Sequence, residues 1–416
     1  MDHNKKMVDV TIIGAGIVGI NTALELQRKG YSTQLIDRKP PVMECSSGNA
    51  GIIAGYGVTP VSLPGLWKKA PKMLFDPAGP LSLRRQHLIK IAPWLFKFWR
   101  AGNNASAHKS AKALEGLVHH SLRDYQALVR GTSAEHLVKA SPILCVYNSR
   151  EQYERDQYVW NLRKKHGVSW KLIEGAELHT MEPTLAKNLR FAVALENSGY
   201  TLDPQHLGRA LFEEYRHHGG SFIQTEVHNI TAEGNQITLQ TMNGTMPAKK
   251  VVIACGAWSG LLAQRLGEPV PLEAERGYHI TLSDFEGKAP SHPIMSPEHK
   301  VIATPMEVGL RIAGMVEFGG FLPPDYRRSG VLRNQLSQIF PGVKAGTASS
   351  WMGHRPTLPD SLPVISRSLQ CPSVFYAFGH QHIGLTAAPM TAKLITSLIA
   401  DTPPPVDVEA FRIDRF

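Results

Sequence analysis

Apolar positions along this chain follow two periods, and the switches between them set the order of elements. The run Val10, Thr11, Ile12, Ile13 is short, β-branched and apolar, which predicts a strand buried on both faces. It ends at Gly14, and from Ile20 to Lys29 the apolar positions recur at helical spacing. Ser32 to Ile36 returns to strand character and stops at Asp37, completing a β-α-β unit. The buried-strand signature comes back only far downstream, at Val251 to Ala254 and at Phe375 to Phe378, each running into a glycine turn. Between them, Pro204 to His218 predicts a helix with Leu207, Leu211 and Phe212 on one face. Ser221 to Gln224 and Glu226 to Ile230 predict strands, and Gln236 to Gln240 and Thr245 to Ala254 are expected to pair across Asn243 and Gly244. A second group, Ile143 to Tyr147, Gly277 to Leu282, Val301 to Pro305 and Leu310 to Gly314, predicts a mostly antiparallel sheet. The expected fold class is α/β. Residues 1–55, 198–268 and 350–416 are expected to build a discontinuous Rossmann-like domain on the buried-strand runs, and residues 56–197 and 269–349 a second domain on the antiparallel sheet.

The first glycine turn carries the first chemistry. Gly14, Gly16 and Gly19 stand in the G-x-G-x-x-G order between a strand and a helix. Gly14 permits the tight turn, Gly16 lets the backbone approach a pyrophosphate, and Gly19 lets helix and strand pack closely. Ile17 and Val18 then present first-turn N–H groups to the phosphates, while Asp37, followed by Arg38, takes the ribose hydroxyls. A glycine turn with no ligand is the plain alternative, and the flanking strand, helix and acid argue against it. A nicotinamide enzyme would continue with strands and helices completing a doubly wound sheet. This chain instead enters a small-residue loop, Cys45, Ser46, Ser47, Gly48, Asn49, Ala50 and Gly51, and then an irregular proline-rich stretch. Nucleotide-domain pieces scattered over three segments point to FAD.

Further motifs stand in order along nearly the whole chain: Ser47 to Gly51, Tyr200 to Pro204, Arg276 to His279, Gly353 to Ile365 and Gly379 to Thr386. With the first glycine motif they make the chain resemble the FAD-dependent D-amino-acid oxidase superfamily, most closely its D-amino-acid dehydrogenase (small subunit) branch. The resemblance implies that the Rossmann-like domain is a GR2-type FAD-binding domain and the second domain binds substrate, and it implies oxidation of a small amino acid of D configuration, by hydride transfer from Cα to flavin N5. Cyclic imino acids such as D-proline and D-hydroxyproline are among the substrates it implies. A quinone or another electron-transfer partner would take the electrons. Arg355, between Gly353 and Pro356, occupies the place of the carboxylate-binding arginine, with Arg276 as the next candidate. Tyr278 and His382 are the other expected catalytic residues, Tyr278 and His279 coming from a strand expected to face the flavin. Val227, Cys255, Gly256 and Trp258 are expected around the nucleotide. Gly379, His380, Gln381, His382, Ile383, Gly384, Leu385 and Thr386 are expected around the flavin, with the helix opening at Gly384 aimed at its C2=O. His380 and His382 form an HxH pair with no third ligand beside it, so no metal is expected. Met352, Gly353 and His354 stand where sarcosine-oxidase relatives carry their flavin-tethering cysteine, so the FAD is expected to be noncovalent. Two other readings stay open: a glycine- or sarcosine-type oxidase using O₂ and making H₂O₂, and a noncatalytic FAD subunit relaying electrons in a larger complex.

Composition adds a partner and removes others. The 416 residues, 43% hydrophobic, suit two domains of ordinary globular make-up, and no run approaches a membrane span. The N-terminal apolar run is already the first strand, so no secretory leader is expected there. Four scattered cysteines without a C-x-x-C make disulfide or zinc frameworks unexpected and suit a reducing compartment. The net charge of +10 exceeds what an anionic cofactor and substrate require. Leu88 to Arg100 mixes tryptophans, aliphatics and cations, and reads either as a core helix with snorkelling lysines or as an interfacial segment on an acidic membrane. These readings place the chain in the cytoplasm, at the inner face of the cell membrane if the segment is interfacial. The basic residues are scattered with no RNA-binding signature, so nucleic acid is not an expected partner.

Overall fold

The computed structural model describes residues 7–66, 79, 81–233 and 236–416. Its nucleotide half is a six-stranded sheet in the order Ser221–Gln224, Thr33–Asp37, Val10–Ile13, Val251–Ile253, Val374–Phe378, Val364–Arg367. The first five strands are parallel and the last is antiparallel. Side chains alternate across this sheet as the pleat requires. Val10, Ile12, Val252, Phe375 and Ala377 enter a core with the helices Ile17–Arg28, Pro204–His217 and Gly384–Ala400. Ile13, Val251, Ile253, Val374, Tyr376 and Phe378 enter the opposite core, under the antiparallel meander of Val227–Glu233, Gln236–Thr241 and Gly244–Ala248.

One predicted strand divides. Gly244–Ala248 stays in the hairpin, whereas Val251–Ile253 leaves it for the centre of the parallel sheet. All three side chains of Val251–Ile253 are fully buried, a demand that the half-exposed strands of the meander cannot meet.

The other half is built on a nine-stranded sheet, ordered Ala348–Thr357, Glu273–Leu282, Gly309–Phe318, Val301–Met306, Ile294–Ser296, Ile143–Tyr147, Phe191–Leu195 and Trp170–Glu174, with Leu81–Leu83 beside Gly309–Phe318. Its pairings are antiparallel except at Ile294–Ser296 with Ile143–Tyr147 and at Leu81–Leu83. The expected boundary at 350 therefore cuts a strand: Ala348–Thr357 belongs to this sheet, paired along its length with Glu273–Leu282. A small sheet of Ile52–Ile53, Gly199–Thr201 and Val138–Ala140 likewise spans the expected cuts at 55 and 198. One face of the large sheet buries Tyr278, Ile280 and Leu282 against the helix Ser329–Ile339. Its other face roofs a cavity above the nucleotide half.

The helix Leu88–Ala101 is not a core helix. It buries Ile91 and Trp94, while Leu88, Ile89, Phe96 and Trp99 face outward, Ile89 at 91% exposure. No helix of the described residues is long and apolar enough to cross a membrane. Cys45, Cys145, Cys255 and Cys371 are all free thiols.

Candidate active site

The cavity between the two sheets has a volume of about 1120 Å³, and its floor begins at the first glycine turn. Gly14 sits at φ +111°, and a Cβ there would lie 2.3 Å from the Ala254 carbonyl oxygen. A Cβ on Gly19 would lie 1.9 Å from the Gly14 carbonyl oxygen, so this glycine serves helix-to-turn packing and does not reach the cavity. Gly16 does line the cavity, where a Cβ would stand 3.2 Å from the Ser46 hydroxyl. That hydroxyl accepts from the Ile17 N–H at 2.9 Å, so Ser46 closes the start of the helix, with Ile17 and Val18 on the wall. Asp37 accepts from the Ala15 N–H at 2.7 Å and the Lys39 N–H at 2.9 Å, and burial raises its pKa. Arg38 lies 4.1 Å over the Trp258 ring, and Val227, Cys255, Gly256 and Trp258 line this end.

The loop after Cys45 is turned by the roof sheet. Arg311 donates to the Asn49 carbonyl at 2.8 Å and the Ser47 carbonyl at 3.4 Å. His279 bonds the Gly48 carbonyl at 2.7 Å, and Thr304 donates to the Ala50 carbonyl at 2.8 Å. With consecutive carbonyls drawn upward, the N–H groups of Gly48, Asn49 and Ala50, which line the cavity, have no partner among the described residues. Burial brings Arg311 down to about 10 and, with the charge of Arg311, His279 down to about 3. Ser47 and Gly51 do not wall the cavity: the Ser47 hydroxyl donates back to the Glu44 carbonyl, and Gly51, at φ +73°, turns the chain away. Gly379, at φ +87°, is also a backbone turn, packed on Leu358 outside the cavity. None of the four reaches the cavity because each satisfies a local packing or turn requirement.

Strand parity decides the catalytic candidates. On Glu273–Leu282, Glu275 and Gly277 line the cavity and His279 shares their face; Tyr278 also borders the cavity, but its hydroxyl, like the Arg276 guanidinium, bonds Glu317 on the opposite face. Tyr278 donates to Glu317 at 2.5 Å and accepts from the Asp325 N–H, and burial pushes its pKa up to about 12. Its hydroxyl is thereby committed behind the sheet, which overturns its expected catalytic place. Arg276 is fully buried and donates to Glu317 and to the carbonyls of Gly319, Gly320, Leu322 and Pro323, so it anchors a loop and is no substitute clamp.

Arg355 does face the cavity. Its Nη1 donates to Glu275 at 2.7 Å and to the Met315 carbonyl at 3.1 Å, leaving Nε and Nη2 without a partner among the described residues. Two features missed in the sequence make this possible. Gly277 is flat enough for the guanidinium to lie on it, since a Cβ there would stand 2.3 Å from Nη2. Met315 takes φ +65° at a bulge against Glu273–Leu282, which turns its carbonyl to Arg355. Trp351 was also missed; it stacks on His279 at 5.0 Å and covers Gly48 and Gly353, each of which would clash with it through a Cβ.

Gln381, His382, Ile383, Gly384, Leu385 and Thr386 line the floor opposite. Gln381 holds φ +49°, fixed by its N–H bond to the Pro356 carbonyl and its side-chain bond to the Leu358 carbonyl. His382 lines the cavity and opens onto its interior, and desolvation by the surrounding walls, with the charge of Arg355, brings its pKa down to about 4. His380 bonds Thr391 at 2.9 Å and is held near 3 by burial, so its Nε2 is engaged by the helix Gly384–Ala400. Among the described residues, the one convergence of three metal-ligating side chains is His136, His206 and Glu307, exposed and outside this cavity.

The residues fit FAD. A glycine cradle at a helix N-terminus, a half-buried acid at the end of the second strand and a run of N–H groups without a partner among the described residues lie along one cavity. Over residues 9–398 the chain matches the family described as FAD dependent oxidoreductase (DAO). It is 34% identical to the D-amino-acid oxidase of Bradyrhizobium diazoefficiens and 27% identical to the D-amino acid dehydrogenase of Sinorhizobium medicae, with 98% of this chain aligned in each case and 98% and 99% of theirs. Glycine oxidase from Geobacillus kaustophilus superposes with a TM-score of 0.74 at 20% identity, over 98% of this chain and 99% of the other, and so shares its fold. With cavity, cradle and family match in agreement, the chain belongs to the DAO family of FAD-dependent oxidoreductases.

Proposed function

We propose that the protein oxidises a small D-amino acid to its imino acid, which water hydrolyses. The observation that carries this reading is Arg355: a guanidinium on the cavity wall, fixed by Glu275 and the Met315 carbonyl, with Nε and Nη2 left without a partner among the described residues. That is the planar fork a carboxylate binds bidentately. FAD, when bound, supplies the acceptor for the Cα hydride. The chain's part is positional: Arg355 clamps the carboxylate, the helix Gly384–Ala400 opens on the cavity wall with Gly384, Leu385 and Thr386, and neutral His382 adds a hydrogen-bonding ring without a second positive charge. The D configuration rests on the aligned D-amino-acid oxidase and dehydrogenases.

For the electron acceptor we propose a membrane quinone or partner protein. The exposed Leu88, Ile89, Phe96 and Trp99, with Lys90, Lys97 and Arg100 beside them, fit an acidic lipid surface. The 34% identical relative named an oxidase favours O₂ as a second reading. Anaerobic bleaching of the flavin by D- and L-amino acids, D-proline and D-hydroxyproline included, tests the substrate class. Bleaching by D-amino acids alone is expected. No bleaching by any of them would overturn the reading in favour of a relay subunit. Readmitting air then separates the acceptors, since fast reoxidation with peroxide marks the oxidase. The FAD itself should leave the protein on acid denaturation, whereas flavin retained in the precipitate would mean a covalent link.

A further inference from the structure

We infer that the end of the cavity away from Arg355 is a subsite for a second carboxylate, which makes the preferred substrate a D-amino acid with an acidic side chain. This rests on the amino-acid reading above. The cavity runs across the roof sheet, touching Arg355, Gly277, Met315, Ile302, Met295 and Tyr147 on six successive strands. At its far end the helix Gln157–Lys165 sends in Arg163, whose guanidinium lies 4.6 Å over the Trp160 ring and 5.3 Å over the Tyr56 ring. The ring faces hold the charge in place but leave the edge N–H donors free. None of those donors has a hydrogen-bond or ion-pair partner among the described residues, and Nε is buried. Lys300, left-handed at φ +55°, lines the same wall, and it too has no ion pair among the described residues.

Facing these two cations is one carboxylate, Asp156, on the same wall. It forms no ion pair with either among the described residues, and one carboxylate beside two cations leaves the patch with a net positive charge. Glu275 is already paired with Arg355, and Asp37 lies at the nucleotide end of the cavity. An apolar side chain entering here would strip water from Arg163 and supply no acceptor, and an amide would supply one neutral oxygen, whereas a carboxylate supplies two charged ones. Met295 and Ile302 give the apolar wall that the intervening methylenes need.

The pair D-glutamate and D-glutamine tests this, because the two differ in charge and hardly in size. The wild-type holoprotein should favour D-glutamate in kcat/KM. Arg163→Gln should lower D-glutamate at least about 30-fold and move D-glutamine less than about 3-fold. Asp156→Asn should raise the acid preference. Glutarate, titrated anaerobically against the flavin absorbance, reads the subsite without turnover, and Arg163→Gln should weaken its binding similarly. A preference for D-lysine or D-norvaline, or equal loss on both substrates in Arg163→Gln, would overturn the subsite. If no amino acid bleaches the flavin yet glutarate binding still depends on Arg163, the anion subsite stands and the amino-acid reading falls.

Discussion

Removing the Arg355 side chain takes away two things at once: the donors that face the cavity, and the partner of Glu275, a residue buried under the roof. Arg355→Ala should therefore retain FAD but lose substrate affinity and flavin reduction together, by about 2–5 kcal/mol in transition-state binding. Arg355→Lys should recover part of this, since an ammonium keeps the charge and not the fork. Arg355→Ala/Glu275→Gln separates the two effects: it should restore the thermal stability lost in the single variant and leave activity low. Rapid-reaction flavin reduction and a melting curve measure both, and a single variant as active as wild type would move the clamp elsewhere. Buried imidazoles set a second expectation. His279 and His380 are each lowered from 6.5 to about 3, so the folded chain refuses protons that the unfolded chain accepts. Their contribution is fully present above pH 6.5 and is lost as pH falls from there towards 3, at about 1.4 kcal/mol per unit for each ring. Urea midpoints at pH 7 and pH 5 should show this loss. His279→Gln, which keeps a donor for the Gly48 carbonyl, should shrink it by one ring's share, and an unchanged slope would show that His279 titrates normally.

Elements explain which of these residues the sequence announced. Arg355 was legible because it stands inside a compact motif, Gly353 to Ile365. Tyr278 was placed wrongly because strand parity is a property of pairing: once Glu275 faces Arg355 across the ladder, Tyr278 must face the back. The bulge at Met315 has no sequence mark, since methionine rarely takes a positive φ and gives no warning of it. The helix Leu88–Ala101 was ambiguous for a similar reason, as its composition suits a core or an interface equally. The structure buries Ile91 and Trp94 and exposes Phe96 and Trp99. Variants that test lipid contact should therefore avoid Trp94, which stacks on Phe98 at 5.1 Å and touches Phe318. Ile89→Ser/Phe96→Ser/Trp99→Ser should fold with its flavin spectrum intact and float less with anionic liposomes than wild type. Equal flotation would remove the membrane from the account of the acceptor.

At the scale of the whole molecule, the loop of residues 46–51 ties the two sheets together, since strands of the roof bond its carbonyls directly. The parallel sheet was legible from its all-apolar runs, and the roof from its alternating ones. What the sequence could not show is the clamp between them: Arg311, Thr304 and His279 are ordinary strand residues until pairing sets them above the loop carbonyls. This clamp frees the N–H groups of Gly48, Asn49 and Ala50, so FAD bound there would be held by both halves and should stabilise both. Protein stripped of flavin should gain about 2.7 kcal/mol when FAD is restored at a hundred times its Kd. For 416 residues, with an unfolding entropy of about 2.1 cal/mol/K per residue, that is a rise in Tm of about 3 °C. Arg311→Met keeps the stem that lies along the strand and removes the donors to Asn49 and Ser47. The loop carbonyls are then free to turn back, and the N–H array is lost although no residue of the first glycine turn has changed. We expect this variant to bind FAD at least about tenfold more weakly, one decade being about 1.4 kcal/mol, within the range of one charged hydrogen bond. Fluorescence titration of the stripped protein with FAD measures it. A Kd equal to that of wild type would show that the loop holds its shape without the roof, and that the two halves bind the flavin independently.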